Sequence, residues 1–304
     1  MKVGPLAERE LATISQEHAT GRVPSGDIEI FYRRFGQPGR TPVLIVHGLS
    51  YFSYDWIGPA SRIAADREVV AIDMRGFGQS GWSPTRDYKL ETLSADVVAV
   101  LDHLGWRQAV LMGHSFGGRV CLATAGWHPE RAAALISIDF APDIAPAGRR
   151  HVAERIGRQP DVFASVDAAM AYHDHENVPA SSPLRTRYEA FLAPADDGYA
   201  LRRDLAFRDS FKRALDSGQS QPVPAFFWPM LAELKCPILV VRASQSDMFA
   251  PETLAKVRAA NPRITAVELT GSHDLAGDNP DGLVAVVREF LPRNEPAMSG
   301  AQPA

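Results

Sequence analysis

The sequence has few cysteines and no long apolar run. Its two cysteines among 304 residues, Cys121 and Cys236, have neither the number nor the spacing of a zinc site or a disulfide framework. No stretch approaches the roughly 18 consecutive apolar residues that a membrane-spanning helix needs. The first 22 residues are polar and lack the apolar stretch of a signal peptide. From these absences we expect a cytoplasmic protein with no membrane partner.

A large excess of charge of one sign is also missing. The formal net charge is −4 and the sequence pI is about 6.1, so no feature favours nucleic acid as a partner. Hydrophobic residues make up 45% of the chain and charged residues 22%, which is typical of a soluble globular protein. A chain of this size can bury a core that needs neither metal nor disulfide for its stability.

Recognisable cofactor motifs are absent as well. The segment Gly76–Gly78 lacks the glycine spacing of a dinucleotide or P-loop fingerprint. In the run His173–Glu176, a helix would place His173 and Glu176 on one face and His175 on another. We interpret this run as a solvated polar helix rather than a metal site. The sequence therefore predicts no cofactor and no metal.

Short apolar, β-branched runs alternate with segments of helical length along most of the chain. This alternation predicts an α/β fold with a mostly parallel central sheet and helices on both faces. The predicted strands are Ile28–Phe35, Val43–Val46, Glu68–Ile72, Ala109–Met112, Ala134–Ile138, Ile238–Arg242 and Ile264–Leu269. The predicted helices are Ser53–Ala65, Thr92–Leu104, Phe116–Trp127, Pro251–Asn261 and Asp281–Leu291.

The alternation stops between Pro142 and Leu231, where the sequence shows no strand-like run. Prolines recur there and would divide the chain into short helices. We therefore predict a helical insertion at 142–231, with the sheet domain at 26–141 and 232–293. Residues 1–25 are expected to form an N-terminal segment and residues 294–304 a disordered tail.

The segment Gly113–Gly118 reads G-x-S-x-G with Ser115 at its centre, and it follows the apolar run Ala109–Met112. Between a buried strand and a helix, this pattern predicts a strained turn that holds the serine oxygen out as a nucleophile. Gly113 and Gly117 are needed because a side chain at either position would collide with a neighbouring element. A serine hydroxyl is a poor nucleophile by itself, so the motif predicts a histidine base and an acid that orients this base.

Four segments, in this order along the chain, resemble the α/β-hydrolase superfamily. They are His47–Ser50, Asp73–Ser80, the turn around Ser115, and Gly271–His273. The resemblance extends over about residues 26–291 and implies an α/β-hydrolase fold in which the insertion is a cap domain. It also implies that the base follows the last strand, and His273 alone among the nine histidines has this position.

Two aspartates follow strand ends where the superfamily supplies the acid. The favoured acid is Asp247, which comes after the predicted strand Ile238–Arg242. Asp139, at the end of the strand Ala134–Ile138, is the alternative acid because some relatives supply it there. The sequence leaves both assignments open.

The resemblance implies two backbone N–H donors for the negatively charged oxygen that forms during acyl transfer. These are the N–H groups of Phe116, at the start of a helix, and of Leu49. We also expect a pocket between sheet domain and cap that binds the substrate. Its expected substrate-binding residues are His114, Tyr51, Trp228 and Met230.

These features together predict a serine hydrolase that cleaves an ester or a lactone of a small apolar molecule through an acyl-enzyme. Two alternatives use the same three residues: a C–C bond hydrolase of ring-fission products, and a hydrolase-like ligand receptor with slow turnover. A dehalogenase or epoxide hydrolase is disfavoured, because those relatives carry Asp where this chain has Ser115. The expected partner is a small-molecule substrate, and a homodimer is compatible with the sequence.

Overall fold

The computed structural model describes residues 18–218 and 224–294. An eight-stranded sheet with the order β1-β2-β4-β3-β5-β6-β10-β11 lies at its centre. The strands are β1 (Ala19–Ser25), β2 (Ile28–Phe35), β3 (Arg40–Val46), β4 (Arg67–Ile72), β5 (Ala109–His114), β6 (Ala132–Ile138), β7 (Val162–Phe163), β8 (Leu192–Ala195), β9 (Gly198–Leu201), β10 (Ile238–Ala243) and β11 (Ile264–Leu269). The pairs β1/β2 and β2/β4 are antiparallel, and the remaining pairs of this sheet are parallel.

Helices cover both faces of the central sheet, which confirms the predicted α/β fold. They are α1 (Ile57–Ile63), α2 (Leu90–His103), α3 (Phe116–Trp127), α4 (Pro146–Gly157), α5 (Val166–Tyr172), α6 (Pro183–Phe191), α7 (Leu205–Ser217), α8 (Phe227–Glu233), α9 (Pro251–Ala260), α10 (Leu275–Asp278) and α11 (Pro280–Asn294). Among the helices of the described residues, none is both long and apolar enough to cross a bilayer.

The alternation of side chains along the central strands explains why both faces are apolar. In β3, Leu44 and Val46 belong to one core cluster, which includes residues of α2, α3, α8 and α9. Their neighbours Val43 and Ile45 point to the opposite face and belong to a second cluster, with residues of α1 and α11. A strand buried on both faces has a continuous apolar run in its sequence, and this pattern allowed the central strands to be predicted.

The expected N-terminal segment 1–25 contains the first strand, which the sequence analysis did not predict. Ala19–Ser25 pairs along its whole length with β2 as the edge strand of the central sheet. The sequence pattern missed it because an edge strand is solvated and lacks a continuous apolar run; its burial alternates between exposed and buried residues. The preceding residues 1–17 lie outside the described residues.

The chain between β6 and β10 contains helices α4 to α8 and a second, three-stranded antiparallel sheet in the order β7-β9-β8. The insertion predicted as helical at 142–231 thus contains five helices and, in addition, this small sheet. The strands of this sheet have two to four residues, too few to produce a recognisable alternating pattern. Helix α8 packs against the sheet domain, where Phe227 and Leu231 are buried in the first core cluster.

The structure differs from the expected tail 294–304 at the first residue of that range, since Asn294 is the last residue of helix α11. Its side-chain amide donates to the carbonyl oxygen of Phe290 at 2.8 Å. The other residues of that expected tail, 295–304, lie outside the described residues.

Candidate active site

Ser115 lies at a sharp turn between β5 and α3, as the G-x-S-x-G pattern predicts. Its φ is 52°, in the left-handed region that a side-chain-bearing residue rarely adopts. The turn is possible only because the flanking glycines allow close approach. A Cβ on Gly117 would lie 2.1 Å from the carbonyl oxygen of Val46, and one on Gly113 would lie 2.3 Å from that of Gly117. The strained turn therefore depends on both glycines.

His273 faces Ser115 from the loop after β11. Its Nε2 lies 2.8 Å from the Oγ of Ser115, and its Nδ1 lies 2.6 Å from the Oδ2 of Asp139. Because the ionised carboxylate can only accept, Nδ1 carries the proton and the lone pair of Nε2 accepts the serine hydroxyl proton. The three side chains thus form one continuous chain of hydrogen bonds.

Asp139 is fixed by the ends of neighbouring strands. It follows β6 directly with a φ of 46°, and its backbone N–H donates to the carbonyl oxygen of Val241 at 2.7 Å. Its Oδ1 accepts from the N–H of Ala243 at 2.8 Å, and its Oδ2 accepts from the hydroxyl of Ser246 at 2.5 Å. The side chain is fully buried. These donors hold the carboxylate in one orientation toward His273.

Asp247, the acid that the sequence favours, does not contact His273. The alternative acid, Asp139, bonds Nδ1 of His273 instead. The Oδ2 of Asp247 pairs with Nδ1 of His151 at 2.6 Å, and both side chains are exposed. The reason is the path of the loop after β10, which runs toward α4. A Cβ added to Gly148 of that helix would lie 2.5 Å from the carbonyl oxygen of Asp247.

Two backbone N–H groups border the same space as the serine hydroxyl. Leu49 and Phe116 line one cavity together with Ser115 and His273. The loop that carries Leu49 is close to the turn, since a Cβ on Gly48 would lie 3.1 Å from the Cβ of Ser115. Among the backbone hydrogen bonds of the described loops and turns, none uses the N–H of Leu49 or Phe116. Both donors are therefore free to bind a ligand.

His47 fixes the orientation of the peptide that carries the Leu49 N–H. Its Nε2 accepts from the N–H of Met74 at 2.9 Å, so its proton lies on Nδ1, which donates to the carbonyl oxygen of Gly48 at 2.7 Å. Burial lowers the pKa of His47, which keeps the ring neutral. In a trans peptide the carbonyl and the following N–H point in opposite directions. Holding the Gly48 carbonyl therefore directs the Leu49 N–H the other way.

The side chain of His114 contacts the backbone of the base, His273, and does not line the cavity that Ser115 borders. Its Nε2 donates to the carbonyl oxygen of His273 at 2.8 Å. Burial, with a smaller contribution from the His273 side chain, lowers the pKa of His114 well below its ordinary value, so that this ring stays neutral. Its ring packs edge-on against Tyr51. His114 thus positions the loop that carries His273.

The cavity beside Ser115 has a volume of about 520 Å³ and differs from the expected pocket. None of the four expected substrate-binding residues, His114, Tyr51, Trp228 and Met230, is among its lining residues. Tyr51 is buried beneath the site. The indole N–H of Trp228 donates to Asp143, and Met230 packs on Gly126 of α3. Aromatic residues on this fold mostly build the core, which the sequence pattern cannot distinguish from a pocket.

Residues that the sequence reasoning missed line the cavity instead. They include Arg119 on α3 and Arg149 and Arg155 on α4, along with apolar side chains from α4 and α7. A signal for Arg119 existed, since it lies four residues after Ser115 and therefore on the same side of the helix. The arginines of α4 carry no such signal, because the fold of the inserted segment was not predictable.

The histidines of the run His173–Glu176 are used in hydrogen bonds within the inserted segment. Nε2 of His173 bonds the side-chain amide of Gln159 at 3.1 Å, and Nδ1 of His175 bonds the hydroxyl of Tyr188 at 3.0 Å. Within the described residues, no group of three or more His, Cys, Asp or Glu side chains is arranged to hold a metal ion.

Comparisons with known proteins identify the family of the chain. A family model described as the alpha/beta hydrolase fold matches residues 41–280. The chain is 25% identical over 285 residues to 2-(acetamidomethylene)succinate hydrolase of Mesorhizobium japonicum, over 92% of this chain and 98% of that protein. It is 28% identical over 262 residues to 3-hydroxybutyrate-oligomer hydrolase of Cupriavidus necator, over 81% of this chain and 87% of that protein.

A solved structure agrees with the sequence match. The crystal structure of E-2-(acetamidomethylene)succinate hydrolase is similar in fold, with a TM-score of 0.77 at 24% identity, over 91% of this chain and 100% of that chain. The family match extends over most of the chain and includes Ser115, Asp139 and His273. The chain therefore belongs to the α/β-hydrolase family, and it is an enzyme, a hydrolase.

Proposed function

We propose that the protein is a serine hydrolase that cleaves an ester or a lactone through a covalent acyl-enzyme. The observation that carries this proposal is the continuous chain of hydrogen bonds from Ser115 through His273 to Asp139. A nucleophile, a base and an orienting acid in this arrangement perform acyl transfer on several unrelated folds.

In the first half of the reaction, the Oγ of Ser115 attacks the carbonyl carbon of the substrate while Nε2 of His273 takes the hydroxyl proton. The imidazolium that forms is stabilised by the Asp139 carboxylate at its Nδ1. The carbonyl oxygen becomes negatively charged and accepts from the N–H groups of Leu49 and Phe116. One such donor typically stabilises the transition state by about 3 kcal/mol.

His273 then donates its proton to the oxygen of the leaving alcohol, and the C–O bond breaks to leave an acyl group on Ser115. In the second half, a water molecule takes the place of the alcohol, and His273 accepts one of its protons as it attacks the acyl carbon. His273 returns this proton to the Oγ of Ser115 as the bond between Oγ and the acyl carbon breaks, so the acid product leaves and the serine hydroxyl is restored. Nε2 of His273 carries the proton in every step, so a single position of the ring serves both halves.

The relatives support hydrolysis of small acid derivatives but leave the bond type open. Their names identify one as acting on 2-(acetamidomethylene)succinate and another on oligomers of 3-hydroxybutyrate. The cavity volume of about 520 Å³ fits a small molecule. Esters and lactones are the substrates that this site would cleave with the least additional machinery, because an alkoxide oxygen leaves more readily than the nitrogen of an amide once His273 protonates it.

Labelling of the intact protein with a fluorophosphonate tests the proposal. An activated serine forms one covalent adduct, visible as a mass increase, and peptide mapping locates it. We expect the adduct on Ser115 and no adduct in the Ser115→Ala variant. A panel of esters and lactones then measures turnover by the same preparations. Folded protein that forms no adduct and turns over none of these compounds would contradict the proposal.

A further inference from the structure

The side chains that line the cavity beside Ser115 are strongly asymmetric in charge. Asp139 is the acidic lining residue, and its carboxylate is already engaged by His273 and by two donors from the β10 end of the sheet. The basic lining residues are Arg86, Lys89, Arg119, Arg149, Arg155 and Arg213. This concentration of cations contrasts with the whole chain, whose net charge is −4. A cavity with one sign of charge attracts ligands of the opposite sign.

Arg119 is the cation closest in sequence to the nucleophile. Its backbone N–H donates to the carbonyl oxygen of Ser115 at 3.2 Å, so it lies one helical turn further along α3. Its guanidinium is 5.6 Å from the ring centre of Phe116 and 6.0 Å from that of Phe227. These cation–π contacts place the guanidinium beside two aromatic rings without neutralising its charge.

No carboxylate in the described part of the chain forms an ion pair with Arg119. Its Nε is buried and makes no hydrogen bond within that part. Burial lowers the pKa of Arg119 to about 10. A charged group that is partly removed from water and lacks a counter-ion is costly, and an anionic ligand offsets this cost.

Arg155 approaches the same cavity from α4. Its charge lowers the pKa of two neighbours: it adds to the effect of burial on His114, and it opposes the effect of burial on Tyr51. Its Nε is also buried without a hydrogen bond in the described residues, as is that of Arg149. The positive charge of Arg155 therefore acts on the immediate surroundings of the triad.

Other arginines of the inserted segment show that lack of a partner is not general there. Arg185 pairs with Asp167, Arg187 with Asp55, and Arg208 with Asp161. None of these three lines the cavity. Arg86, which lines the cavity, also pairs with Asp209, so the lining arginines without an ion pair in the described residues are Arg119, Arg149, Arg155 and Arg213.

We propose that this cavity binds a substrate that carries a carboxylate in addition to its scissile acyl group, and that Arg119 and Arg155 bind the carboxylate. The inference rests on the proposed hydrolase function and assigns its substrate class. The two oxygens of a carboxylate match the edge of a guanidinium group in a bidentate pair. With Arg119 one helical turn from Ser115, the carboxylate lies a few bonds from the attacked carbonyl. The substrate is therefore a half-ester of a short dicarboxylic acid, or a lactone of a hydroxy-dicarboxylic acid, rather than a wholly apolar ester.

Binding of a non-hydrolysable dianion tests this inference without relying on turnover. Glutarate, its neutral diamide glutaramide and inorganic phosphate are titrated into the full chain at fixed ionic strength, and the shift in melting temperature gives each Kd. We expect saturable stabilisation by glutarate and at least tenfold weaker binding of glutaramide. Equal binding of glutarate and glutaramide would overturn the inference. Equal binding of phosphate would replace a carboxylate site with a general anion site.

Variants identify the residues that bind the carboxylate. Arg119→Gln and Arg155→Gln are each expected to weaken glutarate binding about tenfold or more, and Arg119→Lys to restore only part of it because lysine lacks the planar fork. The matched control is Arg158→Gln, which changes an exposed arginine directly after helix α4 that does not line the cavity. Circular dichroism confirms folding of each variant. Unchanged glutarate binding in both cavity variants would overturn the assignment.

Kinetics with a matched pair of esters then tests whether binding of the carboxylate promotes hydrolysis. The p-nitrophenyl half-ester of adipic acid is compared with its methyl-capped neutral analogue, and the Ser115→Ala protein corrects for spontaneous hydrolysis. We expect kcat/KM to favour the charged ester by about tenfold, and this preference to shrink in Arg119→Gln. A neutral ester cleaved as well as the charged one, with Ser115 labelled by fluorophosphonate, would reject the carboxylate site and keep the hydrolase. Glutarate binding without fluorophosphonate labelling of Ser115 would keep the carboxylate site and reject the serine hydrolase.

Discussion

At the scale of single residues, the hydrogen bonds around Asp139 define its role. Its carboxylate accepts from Ala243, Ser246 and His273 and is fully buried. Three donors from different directions leave the carboxylate no freedom to rotate away from His273. The histidine ring is then fixed with its Nδ1 protonated, so that Nε2 can accept from Ser115.

Replacing Asp139 by Asn separates orientation from charge. We expect Asp139→Asn to lower kcat by about 10³- to 10⁴-fold with the fold intact, because the amide favours the wrong tautomer of His273. The matched variant Asp247→Asn removes only an exposed pair with His151 and is expected to stay within about threefold of the wild type. Both are assayed with one p-nitrophenyl ester. An inactive Asp247→Asn beside an active Asp139→Asn would reverse the assignment of the acid.

Asp274, next to the base, makes the stability of the protein depend on pH. Burial, followed by the charge of Asp55, raises its pKa to about 6 from an ordinary value of 3.8. The folded state therefore holds the proton more tightly than the unfolded state. Between about pH 4 and pH 6 the unfolded state releases this proton first, so this group lowers the free energy of unfolding as pH rises.

The Asp274→Asn variant removes this titration. Asparagine keeps an oxygen that can accept from the N–H of Gly277, as Asp274 does at the start of α10. We expect the stability of the variant relative to the wild type to rise by up to about 3 kcal/mol between pH 4 and pH 7. Urea unfolding at a series of pH values measures the difference. A difference that stays constant across this range would contradict the shifted pKa.

At the scale of secondary-structure elements, the turn from β5 to α3 requires closer backbone contacts than any side chain permits. Gly117 sits against the carbonyl oxygen of Val46 on β3, which is the neighbour of β5 in the sheet. The helix thus begins directly above two adjacent strands. The position of the serine oxygen depends on this contact between elements rather than on the serine itself.

Gly117→Ala tests the close approach. The added Cβ would meet the Val46 carbonyl at 2.1 Å, so β3 or α3 must shift. We expect a loss of about 3 kcal/mol or more in the free energy of unfolding, together with loss of fluorophosphonate labelling. Gly105→Ala is the control, since its Cβ meets nothing within 4 Å and only its φ of 69° opposes alanine, at about 1–2 kcal/mol. Urea unfolding measures both variants. Equal losses in the free energy of unfolding for Gly117→Ala and Gly105→Ala would show that crowding at Gly117 is unimportant.

The elements that the sequence predicted well are those with a strong local pattern. Ile28–Phe35, Phe116–Trp127 and Ile264–Leu269 have the predicted limits. The edge strand Ala19–Ser25 and the short strands of the inserted segment were missed, because pairing with a neighbouring strand creates them and their own residues alternate weakly.

At the scale of the whole molecule, a buried ion pair ties the inserted segment to the sheet domain. Arg187 of α6 pairs with Asp55 in the turn before α1, and the side chains are 19% and 9% exposed. Its guanidinium also lies 5.9 Å from the ring centre of Phe52. The charges of this pair also act on the pKa of the buried Asp274, which Asp55 raises and Arg187 lowers.

We expect Arg187→Gln to lower the free energy of unfolding by about 3 kcal/mol, because Asp55 is left buried without its counter-ion. The double variant Arg187→Gln, Asp55→Asn removes both charges and is expected to recover part of this loss. A double-mutant cycle by urea unfolding measures the coupling, and hydrogen exchange of residues 183–191 reports whether α6 loosens. Additive losses without faster exchange would show that the pair does not join the two parts.

The sequence by itself determined the family of the protein, the central sheet and the motifs that contain Ser115 and His273. Buried parallel strands are apolar along their whole length, and the nucleophile turn requires glycines at fixed positions around Ser115. Tertiary structure alone decided between Asp139 and Asp247, since both follow strands that end at the same edge of the sheet. It also decided that arginines line the cavity, together with aromatic residues other than the expected ones. Those arginines come from segments far apart in the chain, and only packing brings their charges together.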